Sequence, residues 1–256
     1  MQGYLETLRR AELDLVKPYF KPGLRVLELG GGSGYQASVI SSWGCEVFSI
    51  DIPQRSASQK YYYPVLDYDG KNIPFDSISF DIVFSSNVLE HIPALPPILA
   101  EIGRVLKPGG FAIHILPSSA WRFWASIAHY LYILKRLLGQ EHSIPGMATA
   151  PSVQEKLEQH GLAYVIKRIL LAGPHGEYPS ALSELYYFSK DRWFKVFQEN
   201  GFDVVSVSGN KLLYSGYGLF PALPLSKRRA MANLMGYACH VFIMKNATIS
   251  ENFQKK

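Results

Sequence analysis

The sequence predicts an α/β fold, doubly wound, in which helices cover both faces of a mainly parallel sheet. Short apolar segments typical of strands alternate along the chain with segments of helical periodicity. The first clear strand runs straight into four glycines within the five residues from Gly30 to Gly34, and a helix-compatible segment follows. Strands that alternate with helices at this spacing imply βαβ units joined by right-handed crossovers.

The elements can be placed in chain order. An amphipathic helix is predicted over residues 4–17, suited to lie over the sheet or over a ligand site. Strands are predicted at 25–29, 45–50, 63–66, 80–84, 111–116, 202–207 and 236–244. Further helices are predicted at 35–43, 97–106, 121–138, 191–200 and 226–235.

Several polar features are predicted to meet at one edge of this sheet. The loop Gly30–Gly34, Asp51, Asp67 and Asn87 each follow a different predicted strand. In parallel sheets, ligands bind at the carboxyl ends of the strands, near the switch in strand order. A helix that starts at a glycine loop also presents unpaired N–H groups and a partial positive charge. This edge is therefore the predicted binding site.

Composition excludes several classes of protein. The 256 residues are 48% apolar and 18% charged, which is typical of a globular domain rather than a disordered chain. The two cysteines, Cys45 and Cys239, form neither a disulfide framework nor a metal-ligand cluster, so we expect a reducing, cytoplasmic setting and no metal site. The net charge of +5 is spread along the chain, which argues against a nucleic-acid partner.

Neither a leader nor a membrane span is predicted. The first ten residues lack the apolar segment of a signal peptide. No uncharged apolar run reaches the roughly 18–20 residues that a transmembrane helix needs.

The glycine spacing narrows the range of cofactors that the loop can bind. A dinucleotide fingerprint requires a third glycine where this chain has Tyr35, and the chain lacks the glycine–lysine pattern of a P-loop. The observed pattern is Glu28-x-Gly30-x-Gly32-x-Gly34, with Asp51 after the second strand.

The first ~120 residues resemble the class I S-adenosylmethionine-dependent methyltransferases, in particular the type 11 methyltransferase domain. The matching segments occur in order and at the family's intervals: Val26-Leu-Glu-Leu-Gly-Gly-Gly-Ser-Gly34, Ile50-Asp51, Leu66-Asp67, Ile73-Pro-Phe75, Phe80-Asp-Ile-Val-Phe84, Asn87-Val-Leu-Glu-His91 and Arg104-Val-Leu-Lys-Pro-Gly-Gly110. The resemblance implies a Rossmann-like fold of seven strands, the last two forming an antiparallel hairpin, with S-adenosylmethionine as cofactor.

The resemblance also implies which residues bind the methionine end of the cofactor. The loop backbone would pack against it, through Gly30, Gly31, Gly32, Ser33 and Gly34. Glu28 would lie near the amino group or fix the loop, and Asn87 would lie under the sulfonium.

The nucleoside end would be held by residues that follow the second and third strands. Asp51 would accept hydrogen bonds from the ribose hydroxyls, since a carboxylate only accepts. Ile52 would lie against the adenine face, and Asp67 would accept from the adenine amino group with Tyr68 beside it. A turn or helix-cap carboxylate is the alternative for either aspartate.

Two histidines are candidate catalytic residues. His91 falls near the expected methyl-transfer face, where it can orient a substrate or act as a base; a packed histidine closing a helix is the alternative. His175 lies in a glycine-flanked segment with Glu177 nearby and can take a proton from a substrate hydroxyl; a surface turn is the alternative.

Residues 118–190 interrupt the family pattern and are predicted to shape the acceptor site. They open with the aromatic helical segment 121–138, which is bounded by basic residues. Such a helix can lie in a membrane interface and reach a lipid-linked substrate. A lid packed on the core or on a second subunit is the favoured interpretation. A smaller insertion is predicted at 208–235.

The sequence therefore predicts one methyltransferase domain over residues 1–256, with a cofactor-binding half (1–117), an insertion (118–190) and C-terminal strands (191–245). It would methylate O, N or C of a small molecule such as a sugar, a lipid-linked or a quinone-like compound. Two alternatives stay open: a catalytically silent cofactor-binding partner subunit, and a nicotinamide-dependent dehydrogenase. Oligomerisation also stays open.

Overall fold

The protein is described by a computed structural model that covers residues 3–53, 60–138, 172–216, 218 and 220–247. Its sheet has seven strands in the order β3-β2-β1-β4-β5-β7-β6. The strands are β1 Arg25–Leu29, β2 Glu46–Asp51, β3 Leu66–Asp67, β4 Phe80–Ser86, β5 Leu106–Pro117, β6 Phe202–Gly209 and β7 Cys239–Asn246.

The α-helices of the described residues alternate with these strands. They are α1 Tyr4–Val16, α2 Tyr35–Ser41, α3 Leu95–Val105, α4 Ser119–Leu137, α5 Ala181–Tyr187, α6 Lys190–Glu199 and α7 Leu225–Met235. Short 3₁₀ turns occupy Lys17–Tyr19 and Leu89–His91. None of the described helices is both long and apolar enough to cross a membrane.

The strand directions confirm the predicted fold class. Strands β1 to β5 pair in parallel, whereas β7 pairs antiparallel with both β5 and β6. From β1 the chain proceeds outward to β2 and β3, and then returns to place β4 on the other side of β1. The strand order therefore reverses between β1 and β4, and the ligand site of such sheets lies at the carboxyl ends of these two strands.

The core explains why the central strands are nearly continuous apolar runs. Val26, Leu27 and Leu29 of β1 are completely buried, as are the apolar side chains of β4. Parallel strands covered by helices on both faces need apolar side chains on both faces. Helix α3 covers one face with an apolar stripe at helical spacing, of which Ile98, Leu99 and Ile102 are buried.

The predicted start of β5 and the predicted length of β3 are wrong. Strand β5 begins at Leu106 rather than at 111 and contains an irregularity, where the register passes from Phe80↔Leu106 to Ile82↔Phe111. Asp81 pairs with the Lys107 ammonium at 2.9 Å and accepts the Arg25 N–H at 2.8 Å, which indicates a structural role. The strand predicted at 63–66 is reduced to the two residues of β3.

The insertion is described in part. The aromatic helix predicted at 121–138 is α4, and it is anchored by buried Trp121 and by the Ser119 hydroxyl, which donates to the Leu185 carbonyl at 2.6 Å. The short helix α5, which the sequence analysis did not predict, precedes the predicted helix α6. The remainder of the predicted insertion, residues 139–171, lies outside the described residues.

Candidate functional site

The glycine loop is fixed to the end of the neighbouring strand. The backbone N–H groups of Gly30 and Gly31 both donate to the Ile50 carbonyl, at 2.8 and 3.1 Å. A Cβ on Gly31 would lie 1.9 Å from the Ser49 Oγ, so only glycine fits there. The first half of the loop is therefore shaped by packing within the protein.

The second half of the loop leaves room for a ligand. Gly32 has φ +54°, and a Cβ added there would meet nothing within 4 Å. Gly34 (φ +72°) begins α2, and a Cβ there would lie 2.6 Å from the Tyr63 carbonyl oxygen. The Ser33 carbonyl accepts the Tyr62 N–H at 2.8 Å. The loop is thus held at both ends and open at Gly32.

Glu28 is buried beneath this loop. Its carboxylate accepts a hydrogen bond from the Ser49 hydroxyl at 2.6 Å. Burial raises the pKa of Glu28 to about 8, and the nearby Asp51 adds to the increase, while the bond from Ser49 opposes it. Of the two roles that the resemblance allows for Glu28, the structure favours fixing the loop.

Asp51 and Asp67 stand side by side at the ends of β2 and β3, where they are register partners. The two oxygens of Asp51 accept the N–H groups of Gly32 and Ile52, each at 2.7 Å. The N–H of Tyr68 donates to the Asp51 carbonyl at 3.0 Å, while burial and the charge of Asp51 raise the pKa of Tyr68 to about 12. The side chain of Ile52 is exposed beside them.

Asn87 occupies the end of β4 in the left-handed region, with φ 56°. Its N–H donates to the Ile115 carbonyl at 2.8 Å. With the amide oxygen turned toward α1, Asn87 accepts from Arg9 Nη1 at 2.6 Å, and Arg9 also pairs with buried Glu12 at 2.7 Å. Helix α1 therefore reaches the point where the strand order reverses.

Glu12 in turn connects α1 to the last strands. It accepts hydrogen bonds from the Tyr214 hydroxyl at 2.5 Å and from the Asn210 amide at 2.8 Å. The Tyr214 hydroxyl also contacts the thiol of Cys239 at 3.0 Å. The sequence predicted no disulfide framework, and Cys45 and Cys239 are both free and buried.

His91 and His175 meet although they lie far apart in the chain. Their rings are 4.8 Å apart, and the ring of Trp121 lies 4.6 Å from that of His175. Desolvation among these side chains, together with His91, Arg122 and Arg9, lowers the pKa of His175 to about 4. Desolvation also lowers the pKa of His91, which Glu177 partly opposes. Both rings are therefore neutral at neutral pH.

The segment that carries His175 is held by a buried ion pair. One oxygen of Glu184 accepts the N–H groups of His175 and Gly176, at 2.6 and 2.7 Å. Its other oxygen pairs with Arg122 at 3.2 Å, and both side chains are almost completely buried. The insertion thus positions His175 against the end of β4 through α4 and α5.

Sequence reasoning identified the strand-end residues and missed those that support them. The glycine loop, Asp51, Asp67 and Asn87 lie at the same edge of the sheet, as predicted. His91 and His175 contact each other after the end of β4. Arg9, Arg122 and Glu184 were not predicted, and the partner of Arg122 comes from a distant part of the chain.

Comparison with known families agrees with this geometry. The family model described as "Methyltransferase domain" matches residues 27–114, from β1 to β5. A biotin biosynthesis bifunctional protein BioHC of Cellvibrio japonicus is 31% identical over 126 residues, 45% of this chain and 25% of that protein. The sterol 24-C-methyltransferase erg6 of Schizosaccharomyces pombe is 36% identical over 121 residues, 43% of this chain and 32% of that protein.

A ubiquinone biosynthesis O-methyltransferase of Thiobacillus denitrificans is 28% identical over 127 residues, 45% of this chain and 54% of that protein. The chain thus matches between a quarter and about half of the length of these three relatives. Each of these three similarities covers less than half of this chain, so more than half of the chain is not matched by any one of the three relatives.

Solved structures extend the similarity of fold to nearly the whole chain. An S-adenosylmethionine-dependent methyltransferase from Mesorhizobium loti has a TM-score of 0.52 at 14% identity, covering 91% of this chain and 97% of that one. A structure from Listeria monocytogenes described as a methyltransferase of the same cofactor class has a TM-score of 0.54 at 14% identity, covering 93% and 97%.

The fold, the loop and the family match together define the class. Residues 27–114 match the family's methyltransferase domain, and over this range the chain is similar to the class I S-adenosylmethionine-dependent methyltransferases. This confirms the resemblance found in the sequence, and with it S-adenosylmethionine as the cofactor of the class.

Proposed function

We propose that the protein transfers the methyl group of S-adenosylmethionine to a small-molecule acceptor. The observation that carries this proposal is the open turn at Gly32, tied by a hydrogen bond to Asp51 where the strand order reverses. The residues present fit the cofactor, because a glycine turn with unfilled space beside it and a pair of carboxylates lie together at one edge of the sheet.

Each part of this edge suits one part of the cofactor. The backbone of Gly30–Gly34 would hold the methionine portion, with Glu28 fixing the loop from below. Asp51 uses one lone pair of each oxygen for Gly32 and Ile52, which leaves the others for the ribose hydroxyls. Ile52, Asp67 and Tyr68 would surround the adenine. When bound, the cofactor supplies an electrophilic methyl group on a sulfonium, and Asn87 would lie under it.

The acceptor is proposed to bind on the side where His91 and His175 meet. Direct displacement at a methyl group requires the acceptor atom in line with the breaking bond, so positioning is the main contribution of the protein. The two neutral rings can hold an acceptor hydroxyl and take its proton. Trp121 provides an apolar wall next to His175.

An acceptor with a substantial apolar part fits the insertion best. Helix α4 buries Trp121 and Ala125 and exposes the apolar side chains of Phe123, Ile127, Leu131 and Leu134. We propose that α4 is a lid over a lipid-linked or quinone-like acceptor; contact of its outer face with a membrane surface stays a prediction. The names of two relatives, which mention a sterol and ubiquinone biosynthesis, support an apolar acceptor.

The proposal can be tested without knowing the acceptor. The purified chain is incubated with cofactor labelled in the methyl group and with small-molecule fractions of a cell extract. We expect label to enter at least one fraction, and Asp51→Ala to prevent this. If the cofactor binds and no fraction is labelled, the protein is a catalytically silent partner subunit and the proposal fails.

A further inference from the structure

We propose that Glu90, His91 and His175 bind a divalent transition-metal ion. Each residue offers one ligand atom, and these atoms all lie within 4.8 Å of one another. The Nε2 of His91 is 3.9 Å from an oxygen of Glu90. Bonds of ~2.1 Å to nitrogen and oxygen place the ligands of one ion ~3.4 Å apart, so closure around an ion needs side-chain movements of about 1 Å. Both histidines are exposed to solvent.

The state of Glu90 is an independent indication of a ligand. Its side chain is completely buried, yet neither carboxylate oxygen has a hydrogen-bond partner among the described residues. Buried carboxylates are normally paired or bound to a metal, because burying an unpaired carboxylate costs on the order of several kcal/mol. A cation beside His91 and His175 would satisfy both oxygens.

The two arginines near this position form ion pairs with other glutamates. Arg9 pairs with Glu12 at 2.7 Å, and Arg122 pairs with Glu184 at 3.2 Å. The charge of Arg9 still acts on Glu90, but neither Arg9 nor any other described residue donates a hydrogen bond to the Glu90 carboxyl group.

The backbone of both contributing segments is fixed, as it is in metal sites. Glu184 holds the N–H of His175, and the Glu90 carbonyl accepts the N–H of Glu177 at 3.0 Å. A Cβ on Gly176 would lie 2.3 Å from that carbonyl oxygen, so glycine permits the close approach of the two segments. Supporting contacts of this kind orient metal ligands and maintain affinity.

The ligand set indicates the kind of ion. Two imidazoles and one carboxylate suit zinc or iron, whereas magnesium prefers oxygen ligands. Three protein ligands also leave a coordination position open for water or for an oxygen of a bound molecule. This inference does not depend on cofactor binding, but it replaces the proton-accepting role proposed for the two histidines, because an imidazole nitrogen that binds a metal cannot also take a proton. The sequence analysis predicted no metal site, because His175 stands far from His91 in the chain and no ligand spacing reveals the pair.

The test uses the full chain, freed of metal with a chelator and then titrated calorimetrically with Zn²⁺. We expect one Zn²⁺ per chain, a visible absorption band when Co²⁺ is added instead, and no competition from Mg²⁺. Glu90→Gln and His175→Ala should each weaken Zn²⁺ binding at least about tenfold. The matched control Glu177→Gln removes a neighbouring carboxylate outside the trio, and its affinity should stay within about threefold.

Absence of saturable Zn²⁺ and Co²⁺ binding, or equal affinity in His175→Ala, would overturn the inference. His175 is exposed, so its variant carries the test even if Glu90→Gln unfolds, which circular dichroism of the metal-free protein shows. S-adenosylmethionine is titrated into the same samples. If the chain binds Zn²⁺ but not S-adenosylmethionine, only the proposed function fails. If it binds S-adenosylmethionine but not Zn²⁺, only the metal site fails.

Discussion

The carboxylate of Asp51 accepts the backbone N–H of Gly32 at 2.7 Å, which ties the open turn of the glycine loop to the end of β2. The same carboxylate holds the N–H of Ile52, and its register partner is Asp67. One side chain therefore shapes the part of the site proposed for the methionine portion and the part proposed for the ribose.

Gly32→Ala should impair cofactor binding more than stability. The added methyl group meets no protein atom within 4 Å, so only the left-handed backbone costs stability, about 1 kcal/mol. The same methyl group would occupy the space proposed for the cofactor. Gly109→Ala is the matched control, since Gly109 has φ +78° and also faces open space. Equal loss of stability in both variants, with calorimetric affinity for S-adenosylmethionine reduced only in Gly32→Ala, is the expected result.

Gly31→Ala should have the opposite profile. Its methyl group would lie 1.9 Å from the Ser49 Oγ, and relieving that overlap should lower the free energy of unfolding by about 1–3 kcal/mol. Urea denaturation measures this loss. A Gly31→Ala variant as stable as the parent would show that the loop is not held against β2 as described.

Asp51→Ala should weaken binding of S-adenosylmethionine at least about tenfold, because hydrogen bonds from the ribose hydroxyls to a carboxylate would be lost. Asp203→Ala, an exposed aspartate on β6 at the opposite edge of the sheet, controls for the loss of one negative charge. Isothermal calorimetry compares the three proteins. Comparable affinities for the Asp51 and Asp203 variants would remove Asp51 from the cofactor site.

Glu28 should make stability depend on pH. Burial raises its pKa to about 8 in the folded chain, whereas the unfolded value is 4.5, so the folded state binds more protons between these values. Stability from this group is therefore complete below pH 4.5 and decreases as pH rises to about 8, by at most about 1.4 kcal/mol per pH unit. Glu28→Gln should remove this contribution and leave that of Glu90, whose pKa burial also raises to about 8. Urea denaturation of both proteins at pH 5, 7 and 9 tests it, and parallel pH profiles would contradict it.

The site residues that the sequence predicts correctly all belong to short, continuous sequence patterns. The strand β1, the four glycines and the start of α2 form one continuous segment, and the rim aspartates each follow their own strand. The pairs Arg9–Asn87 and Arg122–Glu184 join segments far apart in the sequence, and no periodic pattern of residues predicts them. The strand predicted at 63–66 is shorter in the structure, because the backbone of Tyr63 lies against Gly34 instead of joining the sheet.

Glu184→Ala should destabilise the protein strongly. The change leaves the Arg122 guanidinium buried without its partner and removes the acceptor for the N–H groups of His175 and Gly176. Breaking a buried pair in this way costs about 3–5 kcal/mol. Glu199→Ala removes an exposed glutamate that pairs with Lys195 on α6, and should change little. Thermal and urea unfolding of both variants decide the point, and similar small effects would refute the anchoring role of Glu184.

Calorimetric titration of the purified chain, first with S-adenosylmethionine and then with NADH, tests the central claim most directly. The geometry at Gly32, Asp51 and Asp67 predicts saturable binding of one S-adenosylmethionine per chain and no detectable binding of NADH. Binding of NADH, or failure to bind S-adenosylmethionine, would contradict the assignment of this site.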